Sequence, residues 1–424
     1  MFRRRRNVRS SDGYNPMRVS KLQTGLLTTT LVLSCVPVAR PESLRSPPDN
    51  PGWVDFYNLE YEGAIAEFQT QIRQHPNDPA AYNALAQAVL YREMYRDGAL
   101  ESQMVTGSNP FLRRPKMETS ATDASAFAHA IARALELSQD RLATNPNDIG
   151  ALYQMAVAHG LRANYQFLVE KSWTQALHES IAGRKANDQI LRIAPGYKEA
   201  HLIQGFTEYV VACMPRYLRI LGALNGFHAD KEDGIRQLEF VSGSNAANRF
   251  DAGILLVAIY RREHRPKDAL PMLDELAQVF PRNYLLRLEE VQMYSDLGDK
   301  ASALRVLADM DTKREKGTPG YARIPAARVQ YARGNLLFWY GDLSAAKSEL
   351  KQVTARADDL DLNTAVMAWL RLGQVCDLTG DRSDAAQAYR ETIKIAPKSE
   401  VALEARSYLE KPYHRKRADD YKAL

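Results

Sequence analysis

Arg328, Tyr331, Asn335 and Phe338 are spaced three, four and three residues apart in "AARVQYARGNLLFWY", which places them on one face of a helix. A guanidinium, a phenol, a carboxamide and an aromatic ring make neither a nucleophile nor a metal site. They have the composition of an interface centre, where a few such side chains carry most of the binding energy. The chemistry they suggest is non-covalent recognition.

Covalent chemistry finds little support elsewhere. There is no H-E-x-x-H; "HESIAG" at His178 has no second histidine at helical spacing. Neither a phosphate-cradling G-x-x-x-x-G-K-[ST] nor a G-x-S-x-G nucleophile elbow occurs. The acidic pairs at 358–359 and 419–420 lie in turn or tail sequence and read as solvated surface. Cys213 and Cys376 sit in apolar helical patterns as free thiols, giving neither a disulfide framework nor zinc spacing. No cofactor or metal is expected.

The formal charge of +5 is unevenly placed. Residues 1–39 hold seven basic groups against Asp12, a local +6, which leaves the remainder at −1. A basic balance of that origin does not point to nucleic acid. The basic run precedes the uncharged "LQTGLLTTTLVLSCVPVA", the order of a secretory signal peptide over 1–34, with Met17 as an alternative start. "VLSC" resembles a bacterial lipobox that would make Cys35 the acylated first residue, although Leu33 is not the preferred residue there. The Ser34–Cys35 bond equally suits ordinary signal peptidase, and an uncleaved anchor is the third reading. Any membrane contact is expected only through Cys35 or that segment. The expectation is export to a periplasm or cell envelope.

Beyond a linker at 35–52, helical i, i+3, i+4 patterns recur from Trp53 to Leu409 and strand alternation is missing. The fold class is all-α. "RQHPNDPAAY" at 73–82 is echoed by "ATNPNDIGAL" at 143–152, "RIAPGYKEAH" at 192–201 and "KIAPKSEVAL" at 394–403. Twelve residues before the proline of such phrases stands a small residue: Ala64, Ala134, Gly183, Ala269 and Ala385. A large residue often follows four later, as Phe68, Leu273 and Tyr389. The small residue lets two helices approach, the large one fills the gap, and the proline stops the second helix. "GDKASA", "GDLSAA" and "GDRSDA" each place Gly five residues before a small Ala; Gly takes the left-handed closure and Asp is expected to cap the next helix.

This pattern resembles the tetratricopeptide repeat (TPR) family. The fullest unit is 366–399, with Trp369, Leu372, Gly373, Ala385, Tyr389 and Pro397 at signature spacings and Cys376 in place of a tyrosine. Units from Phe250 and Tyr284 abut with Ala269 and Ala303 in register, and the unit from Ala327 keeps Gly334, Gly341, Ala346 and Leu350. The resemblance implies a solenoid of helical hairpins in a right-handed superhelix. It would be regular over 250–410 and irregular over 53–249, where proline spacings of 70, 49 and 86 require longer helices and insertions. A charged, frayed tail is expected at 411–424. "GFHADKEDGIRQLEFV" and "LPMLDELAQVFPRNY" are also similar to exported bacterial TPR proteins of unassigned activity.

In that family the second, fifth, ninth and twelfth positions of each repeat face a groove. The resemblance therefore implies a protein-binding groove of Asp251, Arg261, Gln292, Arg328, Tyr331, Asn335, Phe338, Gln374 and Asp377, with Tyr331 and Phe338 exposed. Another protein or peptide is the implied partner. The family's carboxylate clamp is matched only by Asn335. Two insertions stand out. The loop at 101–125 carries Arg113, Arg114 and Lys116 beside Phe111, and the apolar stretch 209–227 reads as a buried helix pair bent near Pro215. The leading expectation is a non-enzymatic scaffold. The rival is an enzyme or small-molecule binder with its site in 101–125 and 160–227, where the repeat rules fail most.

Overall fold

A computed structural model describes residues 44, 46–100, 117–214, 216–224, 226 and 229–415. Cys35, the leader, most of the loop at 101–125 and the tail beyond 415 lie outside the described residues. Within them every regular element is helical.

Helices α1 (Pro51–Tyr57) and α2 (Tyr61–Gln74) are followed by α3 (Pro79–Arg96) and α4 (Ala121–Thr144). Next come α5 (Ile149–Tyr165), a π-helical turn at Gln166–Glu170, and α6 (Trp173–Ile193). Helices α7 (Lys198–Cys213) and α9 (Lys231–Ser242) pair with each other, with the short α8 (Arg216–Leu224) inserted between them. Four regular hairpin units complete the chain: α10 (Arg249–Arg262) with α11 (Pro266–Val279), and α12 (Tyr284–Asp296) with α13 (Lys300–Glu315). Then follow α14 (Ala326–Tyr340) with α15 (Leu343–Thr354), α16 (Leu362–Leu378) with α17 (Arg382–Ile395), and a last helix α18 (Glu400–Glu410).

The repeated phrase is the connection between hairpins. His75, Asn145, Ala194, Phe280 and Ala396 end the second helices, and the proline stands one residue beyond each. The phrase closes on a cap for the next first helix: Asp78 Oδ1 accepts from the Ala80 amide at 3.0 Å, Asp148 from Ala151, Asn283 from Leu285 and Ser399 from Ala402. The small residues are fully buried, Ala64, Ala134, Ala269, Ala303, Ala346 and Ala385 among them, with Phe68, Leu273 and Tyr389 wedged beside them. At Gly373 a Cβ would stand 2.4 Å from a ring carbon of Tyr389, so only glycine lets the last regular hairpin close.

The glycines of the second punctuation mark adopt positive φ, +78° at Gly298, +85° at Gly341 and +82° at Gly380. Of the aspartates after them only Asp299 caps its helix, accepting from the Ser302 amide at 3.0 Å. Asp342 and Asp381 make no such cap and accept instead from Lys300 and Lys347, tying each hairpin to the one before it. The longer proline spacings arise from long helices, 24 residues in α4 and 21 in α6 against 14 in α11 and α17, and from the inserted segments.

Two expectations fail. The stretch at 209–227 is broken as foreseen, but α8 is not buried: Ile220 is 63% exposed. Residues 411–415 are not frayed; they lie in an extended path against α14 and α16, anchored by Tyr413 and Arg415.

Candidate functional site

The first helices of successive hairpins, α10, α12, α14 and α16, bring the predicted groove residues onto one wall. Arg261 Nη2 donates to Gln292 Oε1 at 2.9 Å and its Nε lies 3.2 Å from Asp296 Oδ2, so α10 is clamped to α12. Gln292 then shares a pocket of about 20 Å³, room for about one water, with Arg328, Tyr331 and Asn335. The Oδ1 of Asn335 is buried there and accepts no hydrogen bond among the described residues. A larger cavity of about 210 Å³ adjoins the other side of Arg328 and is lined by Tyr95, Arg96, Tyr284, Leu285, Leu360 and Asp361. Arg328 donates to the Thr364 hydroxyl and lies 3.6 Å from Asp361, while burial lowers its hold on its proton and Asp361 opposes that loss.

The residues converge as expected, but their exposure does not. Tyr331 is 4% and Phe338 0% exposed, and Asn335, Arg328 and Gln374 are buried as well. Burial holds the Tyr331 phenol above its ordinary range against the pull of Arg371 and Arg328. The expectation of exposed aromatics on this wall is therefore corrected. The physical reason is that Tyr331 and Asn335 pack with Arg328 and with Gln292 of the neighbouring first helix, Phe338 is covered by Arg371 and Arg415, and two segments of the same chain lie along the wall.

One filler is α1 with the residues before it. Trp53, Phe56 and Tyr57 form an aromatic stack with Phe250 and Phe280, the Tyr57–Phe280 centroids 4.9 Å apart. Asn58 Oδ1 accepts from the Arg282 amide at 2.9 Å, the Asn283 side chain donates to the Tyr57 carbonyl at 2.8 Å, and Arg282 reaches Glu60 at 2.7 Å. Arg249 donates to the Ser46 carbonyl at 3.0 Å. These contacts span more than 200 residues of sequence.

The other filler is 411–415. The Tyr413 amide donates to Asp377 Oδ2 at 2.8 Å. Its ring lies 6.1 Å from that of Phe338 and 5.2 Å from that of Tyr408. The Arg415 guanidinium sits 5.0 Å over Phe338 and donates to the Phe338 carbonyl, a cation placed on the C-terminal end of α14. Asp377 also accepts from Arg382 at 2.9 Å and from the Tyr389 hydroxyl at 2.8 Å, so this predicted groove residue is a hub that joins both helices of its hairpin to the strap. Arg371, which sequence reasoning passed over, covers Phe338 and Trp339 at 4.3 and 4.8 Å and donates to Gln374. Its signal was visible as the single basic residue inside "VMAWLRLGQVCDL". Asp251, at the far end of the wall, belongs to a separate polar cluster.

In the rival region His159 Nδ1 lies 2.7 Å from Glu179 Oε2, which also takes Arg162 at 2.7 Å, a tie between α5 and α6. Among the described residues no group of three or more His, Cys, Asp or Glu side chains is placed to hold a metal, and no helix is long and apolar enough to cross a membrane.

Residues 326–400 match the tetratricopeptide repeat family model. No curated protein matches the chain. Among solved structures the chain is similar to yeast Tom70, at 12% identity and TM-score 0.40 over 83% of this chain and 85% of that one. It is likewise similar to a human IFIT1 dimer with m7Gppp-AAAA, at 14% identity and TM-score 0.42 over 84% and 80%. Buried small residues at the hairpin crossings and glycine closures in register make the chain an all-α array of hairpins of tetratricopeptide repeat type, and over residues 326–400 it matches that family.

Proposed function

We propose that this protein is a non-enzymatic scaffold that takes an extended peptide of a partner protein in the groove of α14–α17. TPR folds serve as protein-interaction scaffolds, and this reading adds where and how. The observation that carries it is the seat of residues 411–415. An extended segment already lies there, held by the Tyr413 amide on Asp377, by the Tyr413 ring against Phe338 and Tyr408, and by the Arg415 guanidinium. Lys411, Pro412, His414 and Arg415 remain exposed, so little burial opposes their departure. A partner segment with an aromatic residue two positions before a basic one would reuse Phe338, Asp377 and the carbonyl end of α14. The basic leader and the Ser34–Cys35 junction favour a scaffold exported to a bacterial envelope, lipid-anchored if Cys35 is acylated.

The test is a chain ending at Glu410, titrated with a labelled peptide of residues 411–424. The shortened chain should bind the peptide and the full chain should bind it at least tenfold more weakly, because its own segment holds the seat. Peptides with Tyr413→Ala or Arg415→Ala should lose affinity. Equal binding by both chains, or none by the shortened one, rules out the seat. Export is tested separately by fractionation and by mass spectrometry of the mature N-terminus; a cytosolic chain that keeps residues 17–34 contradicts it.

A further inference from the structure

The cavity of about 210 Å³ beside Arg328 lies where the chain leaving α3 meets the amino ends of α12, α14 and α16. It is larger than the roughly 150 Å³ cavity that takes one benzene molecule, so it has room for a ring bearing a small polar group. Gly98 makes the meeting possible. It holds φ at +68°, and a Cβ there would stand 2.6 Å from Asp361 Oδ1, so glycine lets the end of α3 close on the start of α16. Leu100, Leu285, Pro325 and Leu360 give the cavity an apolar side.

The polar side is rich in donors. Tyr95 and Tyr284 both line the cavity, with their hydroxyls 3.1 Å apart. Two phenols hold two protons and this pair uses one, which leaves one O–H without an acceptor among the described residues. Arg328 lines the same cavity from the first turn of α14 and is buried. The carboxylate beside it, Asp361, stands at 3.6 Å, beyond hydrogen-bond length. Asp361 is engaged as the cap of α16, accepting from the Thr364 amide at 2.9 Å and the Thr364 hydroxyl at 2.7 Å. Helix α14 starts without a side-chain cap, so its amino end borders the cavity with its partial positive charge uncompensated by a side chain. Arg96 differs, because Glu93 at 2.6 Å and Asp123 and Glu62 at 3.3 Å answer its charge. The cavity thus joins a buried guanidinium, an unused phenol proton and a helix amino end, and its one carboxylate is already bonded. A second carboxylate would answer all three.

We propose that this cavity binds a compact organic carboxylate, an aryl or branched-alkyl acid, with its oxygens toward Arg328 and the Tyr95–Tyr284 pair and its apolar body against Leu100, Leu285 and Leu360. The site lies at the amino end of α14, whereas the peptide seat uses Phe338 near the other end, so either can fail without the other. The full chain is titrated by calorimetry and thermal shift with benzoate, with benzamide as the neutral control of the same shape and benzylamine as the cation. Benzoate should bind about tenfold tighter than benzamide and raise the melting temperature, and benzylamine should do neither. Tyr95→Phe or Tyr284→Phe alone leaves one phenol with its proton for the ligand and should change the affinity by less than about threefold. The double change removes both hydroxyls and should weaken benzoate about tenfold. Leu285→Trp fills the cavity and should abolish binding. N-acetyl-leucine mimics a chain terminus: tighter binding than benzoate assigns the carboxylate to the end of a partner chain, and weaker binding assigns it to a free acid. The proposal is overturned if benzamide or benzylamine matches benzoate in the wild-type chain, a comparison that needs no variant. It is also overturned if the double variant or Leu285→Trp, each shown by circular dichroism to be folded, binds benzoate as the wild type does.

Discussion

The groove is filled at both ends by its own chain, and the two fillings differ in kind. Over α10–α12 the occupant is α1, whose Phe56 and Tyr57 are buried and whose Tyr57 packs on Phe250 and Phe280. Over α14–α17 the occupant is an extended strap of which only Tyr413 is even half-buried. The first filling has turned a binding surface into core. The second keeps the peptide-holding chemistry of the surface and covers it with something light enough to leave. One concave wall can thus be structural along part of its length and available along the rest, and burial of the occupant separates the two.

The comparison breaks most readily at α1. Phe56→Ala should cost ~3–5 kcal/mol, read as a lowered denaturation midpoint, because the ring is enclosed on all sides. A loss under ~1 kcal/mol would mean that α1 is a removable ligand like the strap. Overpacking probes the hairpins themselves: Ala385→Phe should cost ~1–3 kcal/mol, since Ala385 is fully buried at a helix crossing.

Asp251 sharpens the comparison through pH. Burial raises its folded-state affinity for protons above that of the unfolded chain, so its favourable share is complete below about pH 4 and is lost as pH rises through about 6. Asp251→Asn should therefore stabilise the chain above pH 6, by roughly 1–3 kcal/mol after allowance for its partial exposure, and leave it unchanged near pH 4. Chemical denaturation at pH 4.5 and pH 8 decides this, and a larger gain at the acid end would contradict the burial argument. The smallest effect belongs to the strap. Tyr413→Ala should change global stability by less than ~1 kcal/mol yet raise hydrogen exchange at 411–415 and admit peptide to the seat. A cooperative loss of several kcal/mol there would make the strap as structural as α1.

What the sequence determined by itself was whatever is specified within one hairpin. A small residue at the crossing, a large one a turn later, a proline after the second helix and glycine where the backbone must turn left-handed act over a few residues. Each could be read before any fold was known, and so could the wall that gathers Gln292, Arg328, Tyr331 and Asn335. Only the tertiary structure decided whether that wall faces solvent. The partners of Arg282 are Asn58 and Glu60, and the partner of Phe338 is Arg415, pairings 222 to 224 and 77 residues apart that no local period announces. Even two of the three aspartates that were expected to cap their helices were claimed by Lys300 and Lys347 of the preceding hairpin. Helical periodicity tells which side chains share a face, but the superhelix, by curving until distant segments meet, decides what lies against that face.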